Sequence, residues 1–279
     1  DQRGSLTPFK IGQHDVPAAF RLSAEFYGRE RELRLLQEAL ERAGRGPVEI
    51  VFVAGPAGIG KTRLVRQFSQ QVKKKQGVFI SGKFQSLHNE APYGPIIEAG
   101  GQLLQWLMSR SQEEVTAWQK LILARLGANV SLVAALMPYV ERLVGEQPKV
   151  EAGSSLEARE RLFYAFSQLL QLFAKKDAPL VLFLDDMHWA DPGSLKILET
   201  VLLEHEVRHL LLIGTYREEE VPPGHILGET IQLLERETNR CRTIRLSPLD
   251  PCAVEEFIAS SLFCSGEEAK PLAGLVYQK

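Results

Sequence analysis

Apolar side chains along this chain recur at two spacings. Between residues 29 and 42, Leu33, Leu36, Ala39 and Leu40 repeat at three and four, as one buried helix face requires, and Gly44, Gly46 and Pro47 stop the pattern. The run from Glu49 to Ala54 is apolar at consecutive, partly β-branched positions, which predicts a strand buried on both faces. It leads directly into a glycine-rich octet, Gly55 to Thr62, and a helix is predicted from Arg63 to about Gln76. Further strands are predicted at 78–84, 180–184, 209–214 and 242–246. Residues 95–176 read as mostly helical, with breaks near Gly127, Pro138 and 146–155. Strands alternating with helices predict an α/β fold, a parallel sheet covered by helices on both faces. The stretch at 95–176 is too long for a simple crossover and is expected to be a helical elaboration between the second and third strands. Residues 1–24 carry neither period and read as a linker from an upstream domain, followed by one domain over 25–279. The chain starts with Asp1 and stops inside a helix-like pattern at Lys279, as a piece of a longer protein would.

Composition narrows the class. With 279 residues, 44% hydrophobic and 24% charged, the chain is neither disordered nor a disulfide framework. Lys plus Arg is 33 against 35 for Asp plus Glu, a formal net charge of −2, which disfavours a broadly basic nucleic-acid binder. No run approaches 18 uncharged apolar residues and no signal peptide opens the chain, so a cytoplasmic protein without a membrane partner is expected. Cys241, Cys252 and Cys264 lie 11 and 12 apart, matching no compact zinc pattern, and read as reduced thiols.

The octet Gly55, Pro56, Ala57, Gly58, Ile59, Gly60, Lys61 and Thr62 fits G-x-x-x-x-G-K-[ST]. Glycines let consecutive backbone N–H groups converge on a phosphate, and the helix beginning there turns its positive end to the same point. Lys61 is placed to reach the β- and γ-phosphates, and the Thr62 hydroxyl to ligate Mg²⁺. A strand before and a helix after distinguish this loop from an ordinary glycine turn. The third strand ends in Asp185 and Asp186, at the sheet edge where ligands collect. Asp185 is the candidate Mg²⁺ holder and Asp186 the candidate that polarises the attacking water, against the plainer reading of a polar strand exit. The fourth strand brings Thr215 and Arg217 to the same edge, where Arg217 either senses the γ-phosphate or pairs with Glu218–Glu220. His188 and Trp189 read as structural. The chain has neither an N-K-x-D guanine selector nor an L-S-G-G-Q transporter signature.

These pieces occur in a recognisable order: Phe26-Tyr-Gly-Arg-Glu30, the phosphate loop, Gly77-Val-Phe-Ile-Ser-Gly-Lys-Phe84, Ala91-Pro-Tyr-Gly94, Phe183-Leu-Asp-Asp-Met-His-Trp-Ala-Asp191 and Gly214-Thr-Tyr-Arg217. Together they resemble the ATPase module of the STAND class, within the AAA-like P-loop group, as found in large bacterial multidomain serine/threonine or histidine sensor kinases. The resemblance implies a three-layer sandwich on a five-stranded sheet with the phosphate-loop strand central. It places Gly28 and Arg29 near the adenine and phosphates, extends the nucleotide-binding set through Arg63, and makes 247–279 the start of a lid whose remainder lies beyond this chain. It further implies an Mg²⁺-dependent ATPase, weak without that lid. Such a module is off with ADP and on with ATP, serves the other domains of a parent signalling protein, and self-associates in the ATP state. Three alternatives stand beside it: an AAA-like ATPase acting on nucleic acid, which would need a basic face; a phosphotransferase, which would need an acceptor pocket; and a nucleotide-binding scaffold without turnover.

Overall fold

A computed structural model describes residues 26–86, 92–148, 154–204 and 207–277. The 1–24 linker and Ala91 lie outside the described residues. The chain divides into two compact units: Arg31–Ser247, and residues up to Glu30 together with Pro248–Lys279.

The larger unit is built on five strands: β1 (Glu49–Ala54), β2 (Val78–Lys83), β3 (Leu180–Asp185), β4 (Leu210–Tyr216) and β5 (Cys241–Arg245). All pairings are parallel and the order is β2-β3-β4-β1-β5. The phosphate-loop strand β1 is therefore interior, but β4 takes the middle position that the resemblance assigns to β1. Every residue of β1, β3 and β4 is buried, as their uninterrupted apolar runs require. Ile50, Phe52, Leu182, Leu184, Leu210 and Leu212 share one core with the helices that follow β2. The alternate positions, Val51, Val53, Val181, Phe183, Leu211 and Ile213, are buried as well. Of the flanking helices, α1 (Glu30–Gly44) buries Leu36, Ala39, Leu40 and Ala43, and α2 (Lys61–Lys74) packs against β2, β3 and β4.

Among the described residues, five helices lie between β2 and β3: α3 (Gly94–Met108), α4 (Gln112–Leu126), α5 (Val130–Leu136), α6 (Pro138–Val144) and α7 (Ser155–Phe173). The expected breaks at Gly127 and Pro138 are present. An additional break at Ser109–Ser111 is set by a capping box, in which Ser111 and Glu114 satisfy each other's backbone N–H groups. Residues Gln112–Leu136 are long and apolar enough to cross a membrane by length and composition alone. In the fold they form two helices joined by a 3-10 turn, with Trp118 stacked on Phe173 at 4.7 Å and Ile122, Leu126, Val130 and Val133 in the core. The group braces edge strand β2. Gln102 of α3 donates to the Ser81 carbonyl at 2.7 Å and accepts from the Ser81 N–H at 2.9 Å, so one amide does a neighbouring strand's work. At Gly82, a Cβ would lie 1.9 Å from the Pro95 carbonyl oxygen, so only glycine lets α3 start this close to β2.

Two further helices, α8 (Pro192–Leu203), capped by Asp191, and α9 (Ile226–Glu237), complete the larger unit. In the smaller unit, α10 (Pro251–Leu262) and α11 (Gly266–Tyr277) pack through Ile258, Ala269 and Ala273. There Tyr27 lies edge-on to Phe257 at 6.1 Å.

Candidate nucleotide site

Register brings the site together. Ala54 lies opposite Tyr216, Leu184 opposite Gly214, and Lys83 opposite Asp185, so four strands end at one edge. Within the loop that follows β1, Gly58 and Gly60 have φ of 76° and 101°, and a Cβ on either would meet nothing within 4 Å among the described residues. The glycines are thus required by backbone conformation rather than by crowding. Gly60 caps α2 with no side-chain cap hydrogen bond, and the positive end of that helix faces the loop. These loop residues, with Arg63, Arg66, Lys83, Asp186 and Arg217, line a cleft of about 530 Å³.

Lys61 is buried, and its ammonium donates to the carbonyls of Gly55 at 2.6 Å and Pro56 at 2.9 Å. Burial pulls its pKa down, opposed by the charges of Asp186 and Glu219. The Thr62 hydroxyl faces Asp185 at 3.0 Å from each carboxylate oxygen. The sequence proposed exactly this pair as Mg²⁺ holders, and the fold brings them into direct contact from α2 and β3. A hydroxyl and a carboxylate converging beside a phosphate cradle form a hard-oxygen set suited to Mg²⁺.

Two residues not assigned from the sequence organise the acidic pair. Thr215, fully buried on β4, donates its hydroxyl to Asp185 Oδ1 at 2.5 Å and accepts the Asp186 N–H at 3.0 Å. Lys83, at the end of β2, lies 2.8 Å from Asp186 and 3.7 Å from Asp185, and its hydrogen bond to Asp186 raises its pKa. Asp186 itself adopts a left-handed backbone, φ 54° and ψ 45°, turning the chain sharply out of the sheet. Lys83 was legible in principle, because it ends a strand in register with Asp185.

A 3-10 turn at Glu218–Glu220 also belongs to the site. Its three carboxylates go separate ways: Glu218 to Arg245 at 2.8 Å, Glu219 to the Ala57 N–H at 3.2 Å, and Glu220 to Arg217 at 2.6 Å. Arg217 therefore lines the cleft while making the acidic-run contact that the sequence left open as its alternative. Hydrogen bonds to its own backbone N–H and that of Ala57 hold Glu219 below its usual pKa. Gly28 and Arg29 belong to the smaller unit. Gly28 has φ 65° and packs so tightly on α10 that a Cβ would lie 2.5 Å from that of Ala253, and Arg29 is buried.

Sheet order, phosphate loop and acidic strand end define a P-loop ATPase fold. Residues 25–213 match the AAA ATPase domain family, and the chain belongs to it. It is 36% identical over 197 residues to the hybrid signal transduction histidine kinase G of Dictyostelium discoideum, covering 71% of this chain and 6% of that protein. Over 248 residues it is 25% identical to the peroxide stress-activated histidine kinase mak2 of Schizosaccharomyces pombe, covering 83% of this chain and 10% of that protein. The chain thus spans a small fraction of these curated relatives. Among solved structures, Cdc6p from Pyrobaculum aerophilum superposes with a TM-score of 0.50 at 15% identity, covering 92% of this chain and 56% of that one, a likeness of fold alone.

Proposed function

We propose that this chain is a STAND-type nucleotide switch, a cytoplasmic module that binds ATP and ADP with Mg²⁺ and hydrolyses ATP slowly to reset a larger signalling protein. The observation that carries the reading is the meeting of Thr62 and Asp185 beside an open phosphate cradle. The histidine-kinase names of relatives in which such a stretch occupies under a tenth or about a tenth of the length support a role as one module among several.

In this reading the loop N–H groups and the start of α2 hold the phosphate oxygens. Lys61 turns from the loop carbonyls to the β- and γ-phosphates. Thr62 and Asp185 hold the metal, and Thr215 fixes the rotamer of Asp185. Mg²⁺, when bound, supplies charge neutralisation at the phosphates. Asp186 accepts a hydrogen bond from the water that attacks the γ-phosphorus, and Arg217 reads the γ-phosphate. ADP holds the off state and ATP the on state, in which copies of the module associate.

Nucleotide extraction tests this first. Freshly purified protein is denatured and any released nucleotide is quantified by chromatography, with Lys61→Ala in parallel. Near-stoichiometric ADP from wild type alone is expected. The variant loses a charge-assisted phosphate contact of roughly 1.5–3 kcal/mol, about 10- to 150-fold in affinity. Equal affinity for ATP and Mg²⁺ in the two proteins would remove the site assignment.

A further inference from the structure

The side chain of His188 is fully buried beside the acidic turn, yet among the described residues neither ring nitrogen has a hydrogen-bond partner. A buried imidazole in that condition forfeits the water bonds it had in the unfolded chain, and such an orphan demands an explanation. The nearest charged oxygen is Oε2 of Glu220, 3.5 Å from His188 Nε2, just beyond a good hydrogen bond. The other oxygen of the same carboxylate, Oε1, is bound to Arg217 at 2.6 Å. One carboxylate therefore stands between a guanidinium that lines the nucleotide cleft and an imidazole with bonding capacity to spare. Glu219, its neighbour, already sits on a phosphate-loop N–H, so the turn carries negative charge into the place where phosphate charge would arrive.

We propose that Glu220 is an exchangeable counter-ion for Arg217 and that His188 is its second seat, the two acting as positioning residues that set how strongly the site prefers ATP to ADP. This rests on the reading that Arg217 contacts the γ-phosphate. Without a γ-phosphate, Glu220 neutralises Arg217. When a γ-phosphate draws Arg217 away, Glu220 loses its cation inside a half-buried site. It then closes the remaining gap to the Nε2–H of His188. The open nitrogen of His188 thus lowers the cost of releasing Arg217, a cost that ADP never incurs. No proton need change hands, because the neutral imidazole with hydrogen on Nε2 suffices as donor.

The test is equilibrium binding of mant-ATPγS and mant-ADP, each with Mg²⁺, to the whole chain. Glu220→Ala frees Arg217 and is expected to tighten mant-ATPγS about three- to tenfold while leaving mant-ADP within about twofold, as suits a half-exposed ion pair. His188→Phe keeps the ring volume but removes the seat, and is expected to weaken mant-ATPγS by a similar factor with mant-ADP unmoved. His188→Gln, which brings an amide donor towards the Nε2 position, is expected to restore most of the preference. In a Glu220→Ala background, His188→Phe is expected to change nothing further. Equal losses for both nucleotides, or the same loss with Glu220 absent, would make His188 a packing residue and overturn the proposal. Should His188→Phe fail to fold, Glu220→Ala and His188→Gln still decide, since an unchanged nucleotide preference in Glu220→Ala refutes it alone. Arg217→Ala separates the two layers. If it leaves the preference intact, the γ-phosphate reading of Arg217 has failed. If it abolishes the preference while Glu220→Ala and His188→Phe do not move it, only the exchange has failed.

Discussion

Thr215→Val is the sharpest probe of how this site is held. Valine copies the shape of threonine, and position 215 has no exposure, so the change removes a hydroxyl without opening a cavity. Two bonds disappear with it: the 2.5 Å donation to Asp185 and the 3.0 Å acceptance from the Asp186 N–H. A hydrogen bond to a charged group is worth about 1.5–3 kcal/mol, and a stranded N–H costs about 1–3 kcal/mol. The two share an atom and are not additive, so about 2–4 kcal/mol is expected in total. For a unit of this size that is a fall in Tm of about 4–16 °C, read by circular dichroism or differential scanning fluorimetry. Asp185 also loses the donor that fixes its rotamer, so the Mg²⁺ concentration at half-saturation of nucleotide binding is expected to rise about tenfold. Thr215→Ser keeps the hydroxyl and loses a methyl group. It should restore the Mg²⁺ dependence and only part of the stability. A Tm within a degree of wild type together with an unchanged Mg²⁺ requirement would refute the argument that Thr215 organises the acidic pair.

Other consequences can be checked in the same preparations. Glu219→Gln weakens the internal occupant of the Ala57 N–H, so ATP and ADP should both bind about two- to fivefold more tightly, whereas the exchange at Glu220 affects ATP alone. Lys83→Met removes the cation from between Asp185 and Asp186, so less Mg²⁺ should be needed for half-saturation; a higher requirement would mean that Lys83 serves the phosphates instead. Burial lowers the pKa of His188 below 6.5, with Glu220 opposing. The unfolded chain then binds more protons than the folded one as pH falls through 6.5. Stability should accordingly be lost on acidification from pH 7.5 to 5.5, and less steeply in His188→Gln. Burial also pushes the Cys241 thiol up to about 12, whereas Cys252 is exposed. Iodoacetamide at pH 8 should label Cys252 in the native protein and reach Cys241 only after unfolding, as peptide mass spectrometry would show.

What the sequence made legible is what local chemistry fixes. The phosphate loop is a backbone conformation, and only its glycines permit it, so it is written in eight consecutive residues. Fully buried parallel strands are continuous apolar runs, and β1, β3 and β4 stand out for that reason. The break before α4 was equally local, since Ser111 and Glu114 form a capping box at the required spacing, but it was hidden inside a long helical pattern. The roles of Thr215, Glu219 and His188 were not legible, because each depends on a partner on another element. Thr215 matters only since β4 pairs with β3 in a register that sets its hydroxyl against Asp185.

Arg217 shows where the boundary falls. Its position after an apolar strand was readable, and both partners open to it were named from the sequence, the phosphate and the acidic run that follows. Under the proposed exchange these are not rival descriptions. The residue lines the cleft and at the same time rests on Glu220, so the two contacts can be successive states of one side chain. An ATPase that must discriminate ADP from ATP has to make the γ-phosphate count against something already present in the site. A carboxylate that holds the sensing arginine until a stronger anion arrives meets that need. An imidazole placed to receive the displaced carboxylate keeps the exchange close to balance, so that a single phosphate can tip it.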